Sequence, residues 1–249
     1  CVDLLISNGL LQTIQPAACG GHELSMRSHV DVMSNVAYGC GATAWVLGVW
    51  QAHSWMFGHA NEQFQKDVYA DGGEHPVSAV IGPRGKATRK ADGSYTLSGF
   101  WPFASGNIHC EWLLLGSEIR DEAGNMLDVG DLLVERSQLE IVDDWYVAGL
   151  QGTGSNSVKC KDIAVPAHRF LSLSALLDNQ TTPYTDPQAP AVFKSQAAPV
   201  LGLCIASGAT GIARSALDEF KRVVPGKNVM YTAHISHEWQ PLQRILGEA

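Results

Sequence analysis

The chain is expected to adopt an α+β fold in three successive parts: a helical domain, a β domain and a helical bundle. Three observations point to this. Apolar residues recur at helical spacing over the first 75 residues, the pattern changes to a period of two after Pro76, and a proline-rich stretch precedes a second long helical run. The helical domain is expected over 1–75, the β domain over 76–177, a linker over 178–193 and the bundle over 194–249.

Within the first part, Asn8-Gly9 reads as a helix stop, and the stretch from Pro16 to Gly21 as a loop. Ser25 or Ser28 is placed to cap a helix carrying Val30, Met33 and Ala37. After Gly39-Cys40-Gly41 the run from Ala42 to Trp50 is apolar on all sides, as in a helix buried inside a larger assembly. The polar, periodic stretch from Asn61 to Tyr69 is one more helix, and Asp71-Gly72-Gly73 ends the region. Strand-like alternation then marks Ser78–Ile81, Ser94–Ser98, Trp112–Gly116, Asp131–Glu135, Ser157–Cys160 and Ile163–Val165, separated by turns such as Asp92-Gly93. Pro183, Pro187 and Pro190 lie among polar residues in the linker. From Ala197 to Val224 a long helix follows, rich in small residues that favour close helix–helix packing, and Ser236 begins another. Val2 to Gly9 resembles the end of a helix already under way, and Gly247-Glu248-Ala249 stops without a cap. The chain is therefore expected to be trimmed at its start and to stop inside its last domain.

A net charge of −8 argues against a nucleic-acid partner, which calls for a basic face. No apolar run near 18 residues is free of polar breaks, so no membrane span is expected. The six cysteines form no C-x-x-C pair and read as reduced, mostly buried residues of a cytoplasmic protein. No metal site is expected: His53 and His59, like His234 and His237, lack a further ligand at a recognised spacing.

The chemistry is concentrated in two glycine-punctuated, hydroxyl-rich segments. One runs from Ser98 to Gly106 and the other, beginning 46 residues after Gly106, from Gly152 to Asn156. Both offer backbone N–H groups and short hydroxyls to a flat polar ligand such as a flavin. Trp101 and Phe103, expected to share one side of a strand by alternation, would wall its ring. No dinucleotide fingerprint or phosphate loop competes for this role. Trp45 and His53 lie eight residues apart, just over two helical turns, and so share a face.

The order of parts resembles the acyl-CoA dehydrogenase fold, and the residues resemble most the two-component flavin-dependent monooxygenases, such as 4-hydroxyphenylacetate hydroxylases and related phenol and polyketide hydroxylases. The carriers are Gly9-Leu10-Leu11, Pro16 with Gly20-Gly21, Thr43-Ala44-Trp45, His53-Ser54-Trp55, Pro83 to Ala87, Gly99 to Gly106, Leu150 to Asn156, and Val165-Pro166 with Arg169. The resemblance implies an oxygenase component that takes reduced FMN or FAD from a separate NAD(P)H:flavin reductase. With O2 as co-substrate, it would hydroxylate a small aromatic, phenolic substrate through a flavin C4a-hydroperoxide, as a homotetramer. It implies that Ser105 contacts the flavin N5 edge, that Trp101, Phe103, Gly106, Thr153 and Ser155 bind the cofactor, and that Lys227 reaches a flavin phosphate, its own or a neighbouring subunit's. It further implies that His53 accepts or orients the phenol hydroxyl, and that Trp45, Ser78 and Val80 line the substrate pocket beside it.

Alternatives within the fold are a dehydrogenase holding FAD tightly and oxidising a thioester, an N- or S-oxygenase, and a non-catalytic homologue. Against the dehydrogenase, Gly82-Pro83-Arg84-Gly85-Lys86 departs from the Thr-Glu-Pro-x-x-Gly-Ser typical of that branch. The further histidine or carboxylate that the family carries in its C-terminal bundle has no counterpart here.

Overall fold

The computed structural model describes residues 1–70, 72, 75–229 and 235–248. Four helices open the chain: α1 (Val2–Ser7), α2 (Met26–Gly39), α3 (Gly41–Phe57) and α4 (Glu62–Tyr69). Gly9 follows α1 at φ +66, a left-handed conformation that glycine adopts without strain. Ser25 caps α2 by accepting from Ser28 N, and Asn61 caps α4 by accepting from Phe64 N. In α3, every residue from Val46 to Phe57 is buried.

Seven strands follow: β1 (Val77–Arg89), β2 (Tyr95–Trp101), β3 (Trp112–Arg120), β4 (Met126–Glu135), β5 (Glu140–Val142), β6 (Ser157–Val165) and β7 (Phe170–Ser172). They form one mixed sheet in the order β5-β6-β2-β1-β3-β4-β7, with β1 and β3 parallel and the other pairs antiparallel. Two short helices, α5 (Leu173–Leu177) and α6 (Thr182–Thr185), lead to the 27-residue α7 (Ala197–Val223), and α8 spans Gln240–Glu248.

Strand alternation sorts the sheet into two faces. Val77, Ala79, Leu114, Leu133 and Leu171 face the helices and join Trp55, Phe57, Phe64, Val200 and Cys204 in one core. The opposite face gathers Leu97, Trp101, Leu113, Leu115, Leu132, Val134 and Val158 into a second. The 178–193 segment, expected as a linker, is mostly exposed and is anchored at Pro183, Val192 and Phe193. Trp55 Nε1 donates to Val192 O at 2.9 Å, and the Phe193 ring stacks on Trp55.

Helix α7 departs from expectation in composition: an 18-residue window reaches a mean hydropathy of 1.5, enough by length and apolarity to cross a membrane, with 28% of that window buried. A helix at a packing layer passes the same test. Its small residues meet α2 and α3 closely. A Cβ on Gly211 would run into Ser34 O and come within 2.8 Å of Ala37 Cβ, whereas one on Gly202 would meet nothing within 4 Å. Gly211→Ala is therefore expected to cost about 1–3 kcal/mol through backbone overpacking. Gly202→Ala should be neutral or stabilising by up to about 1 kcal/mol, from helix propensity. Denaturant midpoints of the two variants check this, and equal midpoints would contradict the packing.

Candidate functional site

The two hydroxyl-rich segments meet below the N-terminal half of α3. Gly106 N donates to Thr153 O at 2.9 Å, and Ala104 N to Asn156 O at 3.3 Å. Asn107 Nδ2 donates to Ala104 O at 2.7 Å and to Asn156 O at 3.2 Å, clamping one loop to the other. Gly106 is required at this junction. Its φ is +71, and a Cβ there would lie 2.7 Å from Val46 Cγ1 and 2.8 Å from Trp50 Nε1.

The clamp brings three buried hydroxyls and one indole into a chain. Trp45 Nε1 donates to Ser105 Oγ at 3.1 Å. Ser105 Oγ lies 2.7 Å from Ser155 Oγ, which lies 2.6 Å from Thr153 Oγ1. Thr153 Oγ1 donates to Leu150 O at 2.9 Å. From β1, Ser78 Oγ donates to the Ser105 carbonyl at 2.9 Å. Residues from α3, β1 and both loops, far apart in sequence, thus share one site.

His53 stands two turns beyond Trp45 on α3. It is buried and its ring hydrogen-bonds the Val77 backbone, next to Ser78, while Nδ1 has no partner among the described residues. Burial pushes its pKa down to about 4, so the imidazole is neutral at physiological pH. Val80 lies two residues beyond Ser78, on the same face of β1, half-buried against the second core.

Around the hydroxyls the surface is apolar. Phe103 is 66% exposed with its ring edge-on to Trp145 at 5.9 Å, Trp145 Nε1 donates to Leu150 O, and Leu150 and Ile108 are also exposed. A cavity of about 350 Å³, lined in part by Thr43, Val46, Trp50, His109 and Thr153, adjoins the chain's Thr153 end. Buried short hydroxyls beneath an exposed aromatic rim suit a flat ring with a polar edge, so the residues present fit a flavin.

A curated relative, the flavin-dependent monooxygenase oxygenase subunit HsaA of Rhodococcus jostii, is 30% identical over 234 residues, 94% of this chain and 57% of its own length. The chain is a homologue of the oxygenase subunits of flavin-dependent monooxygenases. The FADH2-dependent resorcinol hydroxylase oxygenase component of a Rhizobium species is 31% identical over 88% of the chain and 53% of that relative. Among solved structures, XiaF from Streptomyces superposes with a TM-score of 0.92 at 23% identity, covering 99% of this chain and 62% of that one, and shows the same fold. No protein-family model matches. The chain spans little more than half the length of these curated relatives.

In this oxygenase-subunit homologue, the two aromatic residues expected to wall the flavin do not share one side of a strand. Trp101 is fully buried, its Nε1 donating to Gly116 O at 2.8 Å, and it belongs to the second core. Gly85 and Gly99, opposite each other on β1 and β2, make the slot for its indole, since a Cβ on either would strike the ring. It therefore walls no ligand. Phe103 does not share its side: β2 ends at Trp101, and Phe103 at φ +66 turns outward, breaking the alternation. Lys227, expected to reach a flavin phosphate, is exposed on the turn after α7, its carbonyl accepting from Ser236 N. Asn107 escaped sequence reading; its signal was an amide directly after a loop glycine. No group of three or more metal-ligating side chains occurs among the described residues, and His234 lies outside them.

Proposed function

We propose that this chain is part of the oxygenase component of a two-component flavin-dependent monooxygenase with the acyl-CoA dehydrogenase-like layout, hydroxylating a phenolic substrate. The observation that carries the reading is the Trp45–Ser105–Ser155–Thr153 chain, held within reach of Ser78 and of the Val77 backbone that His53 bonds. Reduced FMN or FAD, supplied by a separate reductase, would activate O2 when bound.

The protein's own groups then bind and orient. Ser105, Thr153 and Ser155 meet the polar edge of the ring, and Phe103 rather than Trp101 offers an aromatic face. Neutral and without a partner among the described residues, Nδ1 of His53 accepts a hydrogen bond from the phenol O–H. Full proton transfer from a phenol near pKa 10 to an imidazole near 4 would be uphill by about 8 kcal/mol. His53 therefore polarises and positions the O–H rather than removing its proton, which still raises electron density on the ring carbon beside it. Trp45 and Ser78 hold the floor between the two ligands.

Leu203, Ile212 and Phe220 leave exposed apolar side chains along α7, which supports the assembly proposed with this reading, a homotetramer. Six free cysteines, three of them buried, agree with the proposed cytoplasmic setting.

Anaerobic titration of the full chain with reduced FMN and FAD, followed by turnover with O2, a phenol and an added reductase, tests the reading. Reduced flavin should bind more tightly than oxidised flavin, and a hydroxylated phenol should form. Purification with stoichiometric, non-dissociating oxidised FAD would favour the thioester-oxidising reading instead. Ser105→Ala should weaken reduced-flavin binding by about tenfold at most, the effect of one hydrogen bond, yet raise H2O2 release per product more than that. An unchanged product-to-peroxide ratio would place Ser105 away from the reacting edge.

A further inference from the structure

The direction of the hydrogen bonds in the hydroxyl chain has a consequence for which form of the cofactor binds, and this inference rests on the flavin reading above. Four hydrogens are available: one on Trp45 Nε1 and one on each of the three hydroxyls. The indole can only donate, so Ser105 Oγ receives the Trp45 hydrogen. One arrangement alone uses all four hydrogens inside the protein. Ser105 donates to Ser155, Ser155 donates to Thr153, and Thr153 donates to Leu150 O. In any other arrangement a buried hydroxyl hydrogen is left without an acceptor, which is unfavourable at these buried positions.

In that arrangement Ser105 has no hydrogen left to give. One of its two lone pairs is taken by Trp45 and the other is open. We infer that the hydroxyl chain holds Ser105 as an obligate acceptor, so that the site selects a ring carrying an N–H at its polar edge, the reduced flavin, over the oxidised ring, which presents a lone pair at that nitrogen. Ser155 and Thr153 then act through Ser105 as well as at the ring edge: they fix the direction of the Ser105 hydroxyl. To meet an oxidised ring, Ser105 would have to give up its bond to Ser155 and turn its hydrogen outward, so that the oxidised complex has one hydrogen bond fewer than the reduced one.

The variants separate direction from mere polarity. Removing the acceptor of the Ser105 hydrogen (Ser155→Ala), or the acceptor of the Ser155 hydrogen (Thr153→Val), frees Ser105 to donate. Removing the Trp45 donor (Trp45→Phe) leaves Ser105 still donating to Ser155 and still an acceptor toward the ligand. The measurement is the ratio of Kd for oxidised to reduced FMN and FAD, by aerobic and anaerobic titration of the full chain, with circular dichroism confirming the fold of each variant. The ratio should fall by about five- to tenfold in Ser155→Ala and in Thr153→Val, and stay within about twofold of wild type in Trp45→Phe. A ratio unchanged in whichever of the first two variants folds, or lowered as much by Trp45→Phe, overturns the inference. Wild-type protein binding both flavins equally overturns it while leaving flavin binding intact. Binding neither flavin overturns the flavin reading together with it.

Discussion

His53→Ala is expected to lower hydroxylation of a phenol by about 10²-fold, the usual loss when a group that positions the reacting ring is removed. Reduced-flavin affinity should stay within a few-fold of wild type, because the proposed flavin contacts come from the two loops and not from α3. The structure supplies the reason for a separable effect: Nδ1 of His53 is buried without a partner among the described residues, and the ring lies at the Val77 backbone beside Ser78. A purely structural histidine would behave differently. Its removal would lower stability by a few kcal/mol at most and spare turnover in the folded fraction. Product yield, flavin affinity and thermal melting of the one variant decide between the two, and normal yield in a well-folded protein contradicts the substrate role.

Acidification is expected to destabilise the chain from about pH 6.5 downward, before most carboxylates titrate. Burial lowers His29, His53 and His59 each to about 4. A histidine whose folded pKa lies below its unfolded value near 6.5 contributes stability that is present above 6.5 and is lost as pH falls from 6.5 toward 4, because the unfolded chain binds the proton first. At pH 5 each such histidine costs about 2 kcal/mol, and three together approach the whole stability of an ordinary domain. Asp131 works in the opposite sense: it is buried in the sheet without a partner among the described residues, burial raises it well above the usual carboxylate range, and acid favours its neutral form. One carboxyl offsets part of what three histidines lose. Melting between pH 7.5 and pH 5 should show a large fall, reduced in His29→Leu. A flat profile would show that the histidines are hydrated.

Much of the site could be read from residue types and spacing. Ser105, Thr153 and Ser155 stood out as short hydroxyls among glycines, and the 3.6-residue period alone placed Trp45 and His53 on one face of α3. Ser78 as a pocket residue, by contrast, came from the family resemblance. What the chain hid has particular causes. Trp101 and Phe103 differ by two positions, so alternation put them together; the positive φ at Phe103, which no local pattern announces, sends them apart. Gly99 looked like part of a ligand loop, but its reason lies across the sheet, in the Gly85 it faces and the indole they house. Strands β5 and β7 are three residues each, too short to show a period. The 178–193 segment reads as a linker by its prolines, yet Val192 and Phe193 are anchored by Trp55, a tertiary contact across more than 130 residues.

The most direct measurement is a single turnover of the full chain, loaded anaerobically with chemically reduced flavin and mixed with isotopically labelled O2 and a phenol, without any reductase present. The expected result is a hydroxylated phenol carrying one labelled oxygen atom, in an amount that tracks the reduced flavin supplied. Release of all the oxygen as H2O2, with the phenol recovered unchanged across a panel of phenolic substrates, would contradict the assignment of this site to aromatic hydroxylation.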